Sequence, residues 1–279
     1  MRPITVTLIL AACALTSLSG RAADRVVIQG IEKDIEAGVL AYLSLDELPC
    51  TAPRWWVDRG HKKARSEVRA ALESYGYYQS EIGSSLEWQE ECWRADFSIE
   101  LGEPVRINRA IMTAASPLGD EPGMQAILAE SKLESGRRFT HDRYENQKRQ
   151  MLDVAESLGY FDAAFQQHHV SIDPQLNTAD LTIHLEGGER YRIGNLDIKQ
   201  DALRPQLFDR YLTLKPGDPY SSSTSGNTYT RLLESGYYDR VALYPDLDNR
   251  SDGVVDLQVQ ATAGPRRNTL IGAGYATDT

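Results

Sequence analysis

One short pattern returns three times along this chain of 279 residues, and it dictates a modular fold. The copies are Ala71-Leu72-Glu73-Ser74-Tyr75-Gly76-Tyr77-Tyr78, Val154-Ala155-Glu156-Ser157-Leu158-Gly159-Tyr160-Phe161 and the one-residue-shorter Leu232-Leu233-Glu234-Ser235-Gly236-Tyr237-Tyr238. Their glycines recur about every 80 residues, which is domain size rather than solenoid size. Each copy follows a charged amphipathic stretch. Val68, Leu72 and Tyr75 in the first, and Met151, Leu152, Ala155 and Leu158 in the second, fall at helical spacing. Gly76, Gly159 and Gly236 then supply a left-handed stop. The aromatic pairs Tyr77-Tyr78, Tyr160-Phe161 and Tyr237-Tyr238 open an extended segment, where a ring suits a half-buried sheet.

Two further elements repeat. Leu133-Glu134-Ser135-Gly136-Arg137-Arg138-Phe139-Thr140 matches Leu214-Lys215-Pro216-Gly217-Asp218-Pro219-Tyr220-Ser221. Each reads as a turn, an aromatic anchor and a hydroxyl residue able to cap the next helix. Turn-rich joints lie at Leu101–Ile107 and Leu185–Ile193. The assembled unit is strand (Val26–Ile31; Ile107–Thr113; Ile193–Lys199), short helix (Asp34–Leu43; Met124–Ser131; Pro205–Leu212) and longer helix (Asp58–Ser74; His141–Ser157; Ser223–Ser235). Two strands then close it, the last being Trp93–Leu101, Ala179–Leu185 and Val254–Gln260. These closing strands alternate apolar and polar residues, so one face is buried and one wet. The expected class is α+β: three tandem β-α-α-β-β units, each a three-stranded mixed sheet covered by two helices.

The first 22 residues read as an export leader, with Arg2, the apolar Ile4–Leu18 and the small-x-small Gly20-Arg21-Ala22. Leu10-Ala11-Ala12-Cys13 resembles a lipoprotein box, but the leader before it would be unusually short. Removing the leader leaves Cys50 and Cys92. In an oxidising compartment an even pair favours a disulfide over two buried thiols, and two thiols without a nearby His are too few ligands for a metal. The net charge of −10 disfavours nucleic acid as a partner.

The order strand-helix-helix-strand-strand, with Gly-aromatic after the second helix, resembles the POTRA domain. Three of them behind a leader resemble the TamA branch of the Omp85 superfamily. That resemblance implies POTRA domains at 23–104, 105–190 and 191–264 after a signal peptide at 1–22. The tail at 265–279, with Gly272-Ala273-Gly274-Tyr275-Ala276-Thr277-Asp278, resembles the start of the family's barrel, which in the family continues to sixteen strands. It also implies a place at the outer membrane with this region in the periplasm, and unfolded β-barrel or autotransporter clients. A TamB-like inner-membrane partner would meet the first domain. The alternative is a soluble periplasmic scaffold using the same domains without a barrel.

No residue set points to catalysis or to a cofactor. Gly272-Ala273-Gly274 lacks the third glycine, helix and acid of a dinucleotide loop. His168 and His169 are adjacent on a strand and point to opposite faces, so they do not chelate one ion. Ser221-Ser222-Ser223-Thr224-Ser225 has no nucleophile elbow and reads as a loop and cap. The carboxylates are scattered. Trp55-Trp56 after Pro53 has two readings: a staple with at least one ring packed beneath the incoming helix, or an exposed partner contact. What remains is the sheet rim. Unpaired N–H and C=O groups accept an incoming strand, and the expected rims follow each glycine: Gln79–Trp88, Asp162–Ile172 and Arg240–Tyr244.

Overall fold

The computed structural model describes residues 25–89 and 92–264. The leader and the tail with Gly272, Gly274 and Tyr275 lie outside the described residues. Three sheets follow one another, each of three strands. The first is built from β1 (Val26–Gln29), β2 (Glu81–Trp88) and β3 (Trp93–Glu100), the second from β4 (Arg106–Ala114), β5 (Ala164–Asp173) and β6 (Thr178–Glu186). The third holds β7 (Arg192–Gln200), β8 (Tyr238–Pro245) and β9 (Val254–Ala263). In each, the closing strand is central: the orders are β1-β3-β2, β4-β6-β5 and β7-β9-β8. The opening strand pairs parallel with it and the strand after the glycine antiparallel, so every sheet is mixed. A central position explains the alternation of the closing strands. Trp93, Ala95, Phe97 and Ile99 are buried, as are Ala179, Leu181, Ile183 and Leu185, and Val255, Leu257, Val259 and Ala261.

Between the strands run α1 (Lys33–Tyr42) and α2 (Arg54–Ser74), α3 (Pro122–Ala129) and α4 (His141–Ser157), α5 (Pro205–Phe208) and α6 (Ser222–Glu234). Two of these differ from expectation by more than two residues at an end. α2 begins at Arg54 rather than Asp58, because the Pro53 carbonyl accepts from the Trp56 and Val57 amides and starts the first turn there. α5 is one turn continued as 3-10 helix over Asp209–Tyr211, not a helix to Leu212. Thr213 then ties the chain to α6: its amide donates to Thr228 Oγ1 at 3.0 Å and its hydroxyl to the Thr224 carbonyl at 2.9 Å. Of the two expected hydroxyl caps, Thr140 accepts from the Arg143 amide at the start of α4. Ser221 instead bonds the Ser223 hydroxyl at 2.8 Å, so α6 has no side-chain cap.

The described chain divides into two compact bodies. One ends at Leu72 and regains Ser80–Leu101; the other comprises Glu73–Gln79 and everything from Gly102 on. In the first, Cys50 and Cys92 are joined by a disulfide, sequence separation 42. Beside it the Trp93 indole is buried and donates to the Pro49 carbonyl at 3.3 Å. In the second body the larger core gathers Phe139, Met151, Tyr160 and Ile183. The third sheet's core splits into a cluster around Tyr191, Tyr220 and Val255 and another around Phe208, Leu232 and Val259.

Candidate protein-binding edges

The repeated turn has a backbone role that its side chains do not disclose. In the second sheet's unit, Gly136 N–H donates to the Ile107 carbonyl, Ile107 N–H to Arg137, and Phe139 N–H to Val105. In the third, Gly217 donates to Ile193, Ile193 to Asp218, and Tyr220 to Tyr191. The turn therefore zips onto the start of the opening strand, as the bridges Arg106↔Arg138 and Arg192↔Pro219 record. This covers part of the rims of β4 and β7. The rims of β5 and β8 have no such cover among the described residues, and β5 is exposed along most of its length. An outer strand without a partner presents its amides and carbonyls to any chain that arrives extended.

The first sheet's rim on β2 is different. Arg65 of α2 reaches the Ile82 carbonyl with both Nε (3.1 Å) and Nη2 (2.5 Å). Arg65 thus occupies one acceptor at the start of β2. β5 and β8 each carry a register shift near their start, between Phe165 and Gln167 and between Tyr238 and Arg240. Such bulges limit uncontrolled edge-to-edge pairing.

Two of the three repeat glycines, Gly76 and Gly159, serve as joints as well as helix stops. All three have positive φ. The Gly159 carbonyl accepts from the Tyr191 amide at 2.8 Å, and the Gly76 carbonyl from the Val105 amide at 2.8 Å. A Cβ on Gly159 would lie 3.0 Å from Tyr220 Cβ and 3.2 Å from its carbonyl oxygen; one on Gly76 would overlap the Phe139 carbonyl oxygen. At Gly236 nothing lies within 4 Å. The aromatics divide the work. Tyr160 is buried in its own unit's core and Phe161 packs into the next, 5.5 Å from the Tyr191 ring and 4.9 Å from Tyr220. Tyr77 lies beneath the Arg138 guanidinium, and Tyr78 packs on the second sheet's core with its hydroxyl 2.9 Å from His141 Nε2. Burial, with Glu73 nearby, pushes the Tyr78 hydroxyl up to about 12, so it stays protonated. In the third copy Tyr238 is buried, whereas Tyr237 is 49% exposed.

An ionic clasp closes the joint between the second and third sheets. Asp162 accepts from Tyr191 Oη at 2.7 Å and from Arg250 Nη2 at 2.9 Å. Arg190 adds a pair to Glu121 at 2.7 Å and a bond to the Leu158 carbonyl. Nothing local in the sequence marks this clasp, since Asp162 and Arg250 stand 88 residues apart. The Arg250 bond, then the Tyr191 bond, hold the Asp162 carboxyl below its usual range. A carboxyl depressed in the folded state stabilises above its unfolded pKa, and that contribution is lost as pH falls through the depressed value. The melting temperature of the native chain is therefore expected to exceed that of Asp162→Asn at pH 7, and the gap to close as the pH is lowered through the acid range. A gap that stays constant with pH would remove the carboxylate from the joint.

Trp55 and Trp56 are 66% and 49% exposed, stacked at 6.1 Å with 16° between their planes. Neither is a staple beneath the helix, because α2 has already begun and turns both outward. His168 and His169 are both exposed on β5. Among the described residues no group of three His, Cys, Asp or Glu is arranged to hold a metal ion, and no helix is long and apolar enough to cross a membrane.

Family models match two of the three units. The model described as POTRA domain, TamA domain 1, matches residues 25–101, and the POTRA model described as surface antigen variable number repeat matches 124–188. Together they cover just over half of the chain, and the third sheet repeats the same strand order. The chain is a tandem of POTRA domains. Among solved structures, POTRA3-5 of Haemophilus influenzae BamA is 15% identical, with TM-score 0.47, covering 85% of this chain and 94% of that one. POTRA1-3 of Omp85 from Anabaena is 14% identical, TM-score 0.33, covering 87% and 95%. CdiB from Acinetobacter baumannii is 13% identical, TM-score 0.32, covering 85% and 40%.

Proposed function

We propose that these POTRA domains form the periplasmic binding region of a TamA-type outer-membrane assembly factor, and that they work by backbone pairing rather than catalysis. The observation that carries this reading is the asymmetry of the rims: in the second and third domains the chain's own turn seals part of the opening strand, and among the described residues the strand after the glycine has no such cover. A client strand adds to that free rim, using main-chain hydrogen bonds that tolerate many sequences. The clients are unfolded outer-membrane β-barrel proteins, autotransporters among them. Residues 1–22 act as the signal peptide, 265–279 begin the barrel that passes clients into the outer membrane, and a TamB-like inner-membrane protein contacts the first domain.

Proline on β5 tests the mechanism. Of the neighbours His168 and His169, strand geometry directs one amide into the sheet and the other outward. Proline at the outward position leaves the ladder intact and removes a donor from the rim. That variant is expected to keep its melting temperature and to lose most photo-crosslinking between β5 and an unfolded client. Undiminished crosslinking would end the pairing mechanism.

A further inference from the structure

We propose that the outward stripe of α2, formed by Trp55, Trp56, Arg59, Lys62 and Arg69, is a docking surface for an acidic protein segment bearing an apolar anchor. α2 has two faces. Val57, Ala64, Val68 and Leu72 are buried against the first domain's core. Trp55, Arg59, Lys62 and Arg69 follow one another at steps of four, three and seven residues, so they share the opposite face, and all are exposed. Two stacked indoles left in water at one end of such a face are costly for a domain that uses tryptophan elsewhere as buried core, as at Trp93. Tryptophan and arginine are also the side chains that most often dominate protein interfaces.

The charge selects the partner. Lys63 is paired with Glu67 at 2.7 Å and Arg65 is committed to the Ile82 carbonyl, but Arg59, Lys62 and Arg69 have no ion pair among the described residues. Three unspent cations, against the one carboxylate of Asp58 beside them, still give this helix face a positive excess in a chain of net charge −10. A broad anionic surface such as a lipid layer would meet that overall negative charge as well as the stripe. A narrow acidic segment covers the stripe alone, with an aliphatic or aromatic side chain against the indoles. A shallow cleft beside Trp56, lined by Ser44, Glu47, Leu48, Arg59, Gly60 and Lys63, offers room for that anchor, with Lys63 and Arg59 outnumbering the one carboxylate.

This inference rests on reading the first domain as the partner-contacting one, but the β5 crosslinking assay is independent of it, so the two fail separately. The test uses the whole chain and three probes: a short peptide alternating Glu and Val, its Lys-for-Glu counterpart, and phosphatidylglycerol vesicles. The Glu peptide is expected to bind and to shift tryptophan emission to the blue. The variants Trp55→Ser/Trp56→Ser and Arg59→Glu/Lys62→Glu are each expected to weaken it about tenfold with the melting temperature unchanged. The Lys peptide and the vesicles are expected not to bind. No binding of the Glu peptide, equal binding by the variants, or preference for the Lys peptide or the vesicles would overturn the proposal.

Discussion

Gly76→Ala is expected to destabilise the second body by about 3–5 kcal/mol, whereas Gly236→Ala costs about 1–2 kcal/mol, although the two glycines occupy the same place in the repeat. Both residues hold positive φ, so alanine at either carries the left-handed penalty. Only at Gly76 does the added methyl meet a fixed obstacle. The Phe139 carbonyl oxygen cannot retreat cheaply, because its amide is bonded to Val105 and its ring is fully buried. At Gly236 the methyl enters open space. Calorimetry of the two variants separates the roles: unequal losses mean a joint at Gly76 and a helix stop at Gly236. Equal losses would mean that the repeat glycine does nothing beyond ending its helix.

Replacing Cys50 and Cys92 together by alanine is expected to lower the stability of the first body by about 4 kcal/mol in the chain-entropy model, for the 42-residue separation closed by the bond. The bond ties the loop before α2 to the start of β3, where Trp93 anchors the core. All four tryptophans lie between residues 55 and 93, so their emission reports on this body alone. The denaturation midpoint read by tryptophan emission should fall in the variant and in reductant, while the transition of the second body stays put. Non-reducing mass mapping should find the linkage; free thiols at both positions would end the idea.

How much of this was legible in the sequence depended on whether side-chain type carried the information. α4 runs from His141 to Ser157 as its apolar spacing required, and the closing strands showed by alternation that one face is buried. The expected start of α2 at Asp58 falls one turn late because Pro53 acts through its carbonyl, which no side-chain pattern discloses. The sealing of β4 and β7 was invisible for the same reason: Gly136 and Gly217 were recognisable as turn residues, but the pairing they make is between main-chain atoms. The clasp at Asp162 and the fork of Arg65 on Ile82 join residues distant in the chain, and no periodicity marks such pairs. The exposure of Trp55 and Trp56 turned on a shift of one helical turn at the start of α2.

The assignment of Glu73–Gln79 to the second body bears on how the molecule is dissected. The end of the first repeat in sequence, Glu73–Gln79, packs with the second body. A fragment ending near residue 104 would keep Tyr78 but strip away the core on which its ring rests, leaving an adhesive tip. A fragment beginning there would lack the same ring and carry a matching hollow. Excised pieces would thus be prone to stick to one another, and binding measured with them would mix recognition of clients with recognition of the missing neighbour.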